Sequence, residues 1–188
     1  MKNSRFPTAQ SFLFPPLLFF AVCLMLLFQA NVSAQQTLCQ QVGNFIPDVV
    51  VGTVGGTTNA SSLTENVWFN KKVDINGTFV INKNFQIEFC TLRMGNGATI
   101  RVEGNNSFST ASSKYFNCNG FWTGILVASA GSSFVYIQGC HIEDSRRAVH
   151  VINAASLVYL IGNRFNRNRD ASLYVDGIPL SNTYVCLG

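Results

Sequence analysis

The sequence predicts an all-β chain wound as a right-handed parallel β-helix of about four or five coils, because three observations agree. Two columns of apolar residues recur in phase with a period of about 24 residues. Each copy alternates apolar and polar residues over three to five positions, the two-residue period of a strand. Beyond Ala34, no long stretch keeps the helical period of about 3.6 residues.

The chain opens with Lys2 and Arg5, continues with the apolar run Leu17–Phe28, and then reads Val32-Ser33-Ala34. A basic start, a short apolar centre and a small-residue end are the three parts of a secretory signal peptide, so residues 1–34 are expected to leave by cleavage after Ala34. The run is shorter than the ~20 residues of a spanning helix, and no transmembrane helix is expected in the mature chain. Lys2 and Arg5 leave with the leader, so 13 basic residues fall to 11 against 9 acids. A mature charge near +2 gives no basis for a nucleic-acid partner.

The first column appears as Phe134–Ile142 and again one coil later as Leu157–Phe165, with an earlier copy at Ile87–Leu92 and a weaker one at Ala111–Phe116. The second reads Ile100/Val102, Ile125/Val127, Val149/Val151 and Leu173/Val175, one pair per coil. β-branched and aromatic residues fill the columns, and Gly, Asn and Ser the segments between. One such coil cannot bury its apolar side alone; stacking at the strand spacing of about 4.8 Å makes each column a continuous buried stack. A leucine-rich repeat would need a leucine consensus that is missing, and a sandwich would not hold two columns in phase. The repeats are expected over residues 73–188. Residues 35–72 fit them poorly and are expected to form an amino-terminal cap or an irregular first coil.

Phe89–Met94, Phe121–Ile125, Ile142–Val149 and Asn163–Asn168 resemble the secreted bacterial right-handed parallel β-helix repeat proteins of the pectate-lyase-like superfold. The resemblance spans roughly residues 73–176. It implies a secreted or cell-surface protein, with polysaccharide or another surface protein as partner. The low coil count implies an open end that a partner or a continuation of the chain would cover. It does not imply one activity, because the fold hosts lyases, hydrolases and adhesins.

Five cysteines follow the leader: Cys39, Cys90, Cys118, Cys140 and Cys186. No CxxC or His/Cys spacing suggests a metal, and no cofactor is expected. Cys90 and Cys140 fall in one column with Lys114 and Asn163, two coils apart and so about 10 Å apart, too far for a disulfide. Asn163 there suits a turn that needs positive φ. Cys39 with Cys186 would join the two ends.

Three groups are candidates for chemistry. Arg101, His150, Tyr174 and Asp176 would stack outside the second column and line a groove for an extended sugar, with Leu126 and Ile152 as apolar intruders. Glu143 and Asp144, with His141 beside them, are a carboxylate pair of the kind glycoside hydrolysis requires, although neighbours on a solvated turn need not face each other. Arg146, Arg147, Arg164, Arg167 and Arg169 would gather in the last coils as a basic ridge able to attract acidic polysaccharide or a membrane surface. The expected function is a structural, adhesive or glycan-contacting module without catalysis. The alternative is a polysaccharide lyase or glycoside hydrolase acting on acidic polysaccharide.

Overall fold

Three short strands and three corners make each layer of a parallel β-solenoid with about five turns and a repeat near 23 residues. The computed structural model describes residues 36–128, 132–152, 156–176 and 184–187, the last by backbone alone; the leader lies outside the described residues. Face A stacks β2 (Val67–Phe69), β4 (Phe85–Glu88), β7 (Ser107–Ala111), β10 (Phe134–Gln138), β13 (Leu157–Ile161) and β16 (Tyr184–Leu187). The other two faces belong to one continuous sheet, because β1 (Val49–Asn59) and β3 (Lys72–Ile81) each bend around a corner. The first half of β3 pairs with β5 (Thr91–Met94), and β8 (Lys114–Phe116), β11 (His141–Glu143) and β14 (Arg164–Asn166) continue face B. Its second half pairs with β6 (Thr99–Val102), and β9 (Gly124–Val127), β12 (Arg147–Val151) and β15 (Ala171–Val175) continue face C.

Register explains the core. On face B, Val73, Leu92, Tyr115, Ile142 and Phe165 are successive partners; on face C, Phe79, Ile100, Ile125, Val149 and Leu173 are. Ile100, Val102, Ile125, Val127, Val149 and Val151 are fully buried, as the second column requires. Leu173 is half-buried and Val175 exposed, since β15 is the outermost strand of its face among the described residues. Aromatic rings stack in the core: Trp68 on Phe79 at 5.1 Å, and Tyr115 on Trp122 at 6.0 Å.

The corner from face A to face B repeats one device. Asn70, Phe89, Ser112, Gly139 and Gly162 all hold positive φ, between 49° and 61°. A left-handed residue reverses the chain sharply, and a side chain there costs about 1–2 kcal/mol. The next residue points inward and receives a backbone N–H from the layer before: Lys71 donates to Cys90 Sγ (3.4 Å), Cys90 to Ser113 Oγ (3.0 Å) and Cys140 to Asn163 Oδ1 (2.9 Å). This corrects two expectations. Ser113, not Lys114, shares the cysteine column, because Ser112 occupies the left-handed position. That position belongs to Gly162 rather than Asn163, whose amide instead joins the ladder. Cys90 and Cys140 are buried and unbonded, and burial raises both thiol pKa values.

Residues 38–48 run down the outside of face B. Helix α1 (Leu38–Val42) presents Leu38 and Val42, one turn apart, to Phe116 and Phe45. The Leu38 N–H donates to Glu143 on β11 (2.6 Å), Phe45 meets Phe116 of β8 edge-on at 5.8 Å, and Arg93 of β5 lies 4.8 Å over the Phe45 ring. Asp48 then exchanges hydrogen bonds with the backbone of Lys72 on β3. Cys39 is bonded to Cys118. The expected tie to Cys186 is overturned: the segment lies along the flank, and Cys118 is the cysteine beneath it.

Candidate functional site

Face C gathers four of the sequence-derived candidates. Strand alternation turns Arg101, Leu126, His150 and Tyr174 outward in consecutive layers. His150 Nε2 lies 2.8 Å from Asp176 Oδ2, and the His150 and Tyr174 rings meet edge-on at 5.1 Å. The Arg147 guanidinium lies 3.8 Å over the Tyr174 ring, a cation–π contact, with Nη1 3.5 Å from His150 Nε2. The hydrogen bond from His150 holds the Asp176 carboxyl below its ordinary pKa. With Asp176 ionised, its carboxylate accepts this hydrogen bond from His150 Nε2–H. The stacked guanidinium retains edge N–H groups for a carboxylate or sulfate. Arg101 stands apart, paired with Glu103 at 2.7 Å, so the face carries a compact cluster rather than a long groove.

Glu143 and Asp144 are not on a solvated turn. They are 0% and 3% exposed: Glu143 lies against the flank segment, whose Leu38 N–H it accepts, and Asp144 lies against Arg167 of the next layer. Arg167 of the next layer donates from Nε to Asp144 Oδ1 (2.8 Å), pairs with it again through Nη2, and reaches within 3.9 Å of Glu143 Oε2. Burial raises the Asp144 pKa, while Arg167 opposes the rise. Glu143 Oε2, Asp144 Oδ2 and His141 Nε2 are buried without a hydrogen-bond partner among the described residues. Glu143 anchors the flank segment through the Leu38 N–H, and Asp144 is held by Arg167. Among the described residues, no group of three or more His, Cys, Asp or Glu is arranged to hold a metal.

The five arginines divide among several places. Arg147 is stacked on Tyr174 and Arg167 is held by Asp144. Arg169 pairs with Asp170 at 3.4 Å, Arg146 is exposed beside Trp122, and Arg164 aligns with His141 and Lys114 on face B.

A concave site of about 280 Å³, which the repeat pattern does not announce, opens at the corner between faces B and C. Asp74, Asn76, Arg93, Met94, Asn96 and Asn119 line it, with Gly95, Asn117 and Cys118 completing the wall. Arg93 donates to both oxygens of Asp74 (3.0 and 2.7 Å). A signal was present: Asn-Gly occurs at 76–77, 96–97 and 119–120, once per layer at the same corner.

Comparison with protein-family models, with curated proteins and with solved structures finds no match. The chain is thus defined as a parallel β-solenoid by its own architecture.

Proposed function

We propose that this chain is an exported bacterial module of the pectate-lyase-like β-helix class that contacts glycan without cleaving it, through Arg147, His150, Tyr174 and Asp176. The observation that carries the reading is the contrast between two sites. The adjacent acids Glu143 and Asp144 are buried, Glu143 against the flank segment and Asp144 against Arg167, while an aromatic ring, a guanidinium and an imidazole lie on the outer side of face C. Rigid rings with polar edges suit the alternating apolar and hydroxylated faces of a sugar. A glycan array including uronic-acid polymers tests it. Binding that is weakened at least tenfold by Arg147→Ala or Tyr174→Ala, with no release of unsaturated or reducing ends, supports it; an empty array from folded protein overturns it.

The His150–Asp176 pair favours a second reading, a lyase or hydrolase using His150 as proton acceptor. That reading predicts unsaturated or reducing ends from uronic-acid polymers, abolished by His150→Ala. Silence across such polymers with folded protein sinks it.

A further inference from the structure

We infer that the cavity at the Asn-Gly corner is a second binding site, for a single neutral sugar residue, separate from face C. Its volume of about 280 Å³ falls just below the range of drug-sized ligand clefts, about 300–1,000 Å³, a size for one ring rather than an extended chain. Its charge is balanced, because Arg93 and Asp74 satisfy each other in a two-pronged pair. A charged ligand would meet a charge of its own sign beside the partner it sought; a neutral one can add hydrogen bonds to the lone pairs and N–H groups the pair leaves over.

The remaining polar wall is carboxamide. Each Asn side chain offers a carbonyl acceptor and an NH₂ donor in one plane, and each sugar hydroxyl both donates and accepts. The side chains of Asn76 and Asn96 have no hydrogen-bond partner among the described residues. Both are placed by glycines of the following layer: a Cβ on Gly95 would stand 2.9 Å from Asn76 Oδ1, and one on Gly120 would stand 2.9 Å from Asn96 Oδ1. Asn117 Oδ1 accepts the Asn119 N–H at 2.7 Å, and Cys118 between them is fastened to Cys39. The wall is therefore built before a ligand arrives, which lowers the ordering cost of binding.

Saturation-transfer NMR tests the site in the full mature chain, with methyl β-glucopyranoside, methyl β-galactopyranoside, methyl α-mannopyranoside and glucuronate as probes. Transfer to at least one methyl glycoside is expected, with its titration midpoint raised at least tenfold in Asn76→Ala and in Asn96→Ala. Both positions are at a surface corner, and an unchanged melting curve confirms folding. Gly95→Ala, which crowds the Asn76 amide, is expected to act in the same direction. Tyr174→Ala leaves this binding unchanged even where it abolishes binding at face C, so failure of one site is distinguishable from failure of the other. No transfer to any methyl glycoside from folded protein, transfer that survives both Asn substitutions, or stronger binding of glucuronate overturns the proposal.

Discussion

Cys39 is bonded to Cys118 across 79 residues of chain, with their Cα atoms 5.4 Å apart. The bond closes a loop that contains the first layers of the solenoid and holds the flank segment against β8. Closing a loop of that length removes enough freedom from the unfolded chain to stabilise the fold by about 2–4 kcal/mol. Cys39→Ser or Cys118→Ser is expected to lower the urea midpoint accordingly, and reduction of the wild type to reproduce the shift. An unchanged midpoint would show that packing of Leu38 and Phe45 suffices without the bond.

Gly124 holds φ +124°, and a Cβ there would overlap the carbonyl oxygen of Arg147 in the next layer. The atoms it would meet are backbone of Arg147 and Ala148, which cannot swing aside as a flexible side chain could. Gly124→Ala is expected to cost roughly 2–4 kcal/mol. Gly97 also has positive φ (+72°) but faces open space, so Gly97→Ala should cost only about 1 kcal/mol. Equal melting temperatures for the two variants would refute the close approach.

Cys90 and Cys140 act as inward members of a polar ladder, and burial keeps both as thiols. Iodoacetamide treatment of native protein, followed by peptide mapping, should leave both unmodified, with labelling only after denaturation. Cys90→Ser keeps an acceptor for the Lys71 N–H and should be tolerated better than Cys90→Val, which leaves that donor without its partner.

His141 links stability to pH. Burial lowers its pKa from 6.5, assisted by Arg164 and Lys114 in the adjacent layers and opposed by Asp144; Glu143 Oε1 lies 3.7 Å away. The unfolded chain therefore takes up this proton more readily than the folded one. The contribution is fully present above pH 6.5 and is lost as pH falls from there through the folded value. Asp144 acts in the opposite sense: its folded pKa is raised above 3.8, so its contribution is full below 3.8 and is lost as pH rises through the folded value. Urea titrations across this range should show stability declining below pH 6.5, and His141→Asn should flatten that decline.

The layers were legible because burial imposes a period on them. Ile100, Ile125 and Val149 must point inward at the same place in each layer, and nothing else keeps apolar residues in phase over successive coils. Corners were less legible, because a left-handed residue is Asn70 in one layer, Phe89 in another and Gly139 in a third: the constraint falls on φ, not on side-chain identity. Glu143 and Asp144 looked solvated because their partners are distant in sequence: Leu38 stands 105 positions before Glu143, and Arg167 stands 23 after Asp144. The clustering of His150, Tyr174 and Asp176 followed from alternation, but the position of Arg147 over Tyr174 depended on a side-chain direction that spacing does not specify. The polar corner could have been found from its three Asn-Gly pairs, which carry no apolar signal and so do not stand out beside the columns.

A stack of layers in which each touches only its neighbours tends to open from its ends, one layer at a time. The flank segment changes that order of events. It lies across β11, β8, β5 and β3, so its docking surface is complete only when strands as distant in sequence as those of Lys72 and Glu143 are in place. During synthesis it emerges before that surface exists, and its seating becomes a late step that reports on the assembled stack. Once seated, loss of any one of those strands also releases contacts to the others, which gives a linear array the all-or-none behaviour of a globular domain.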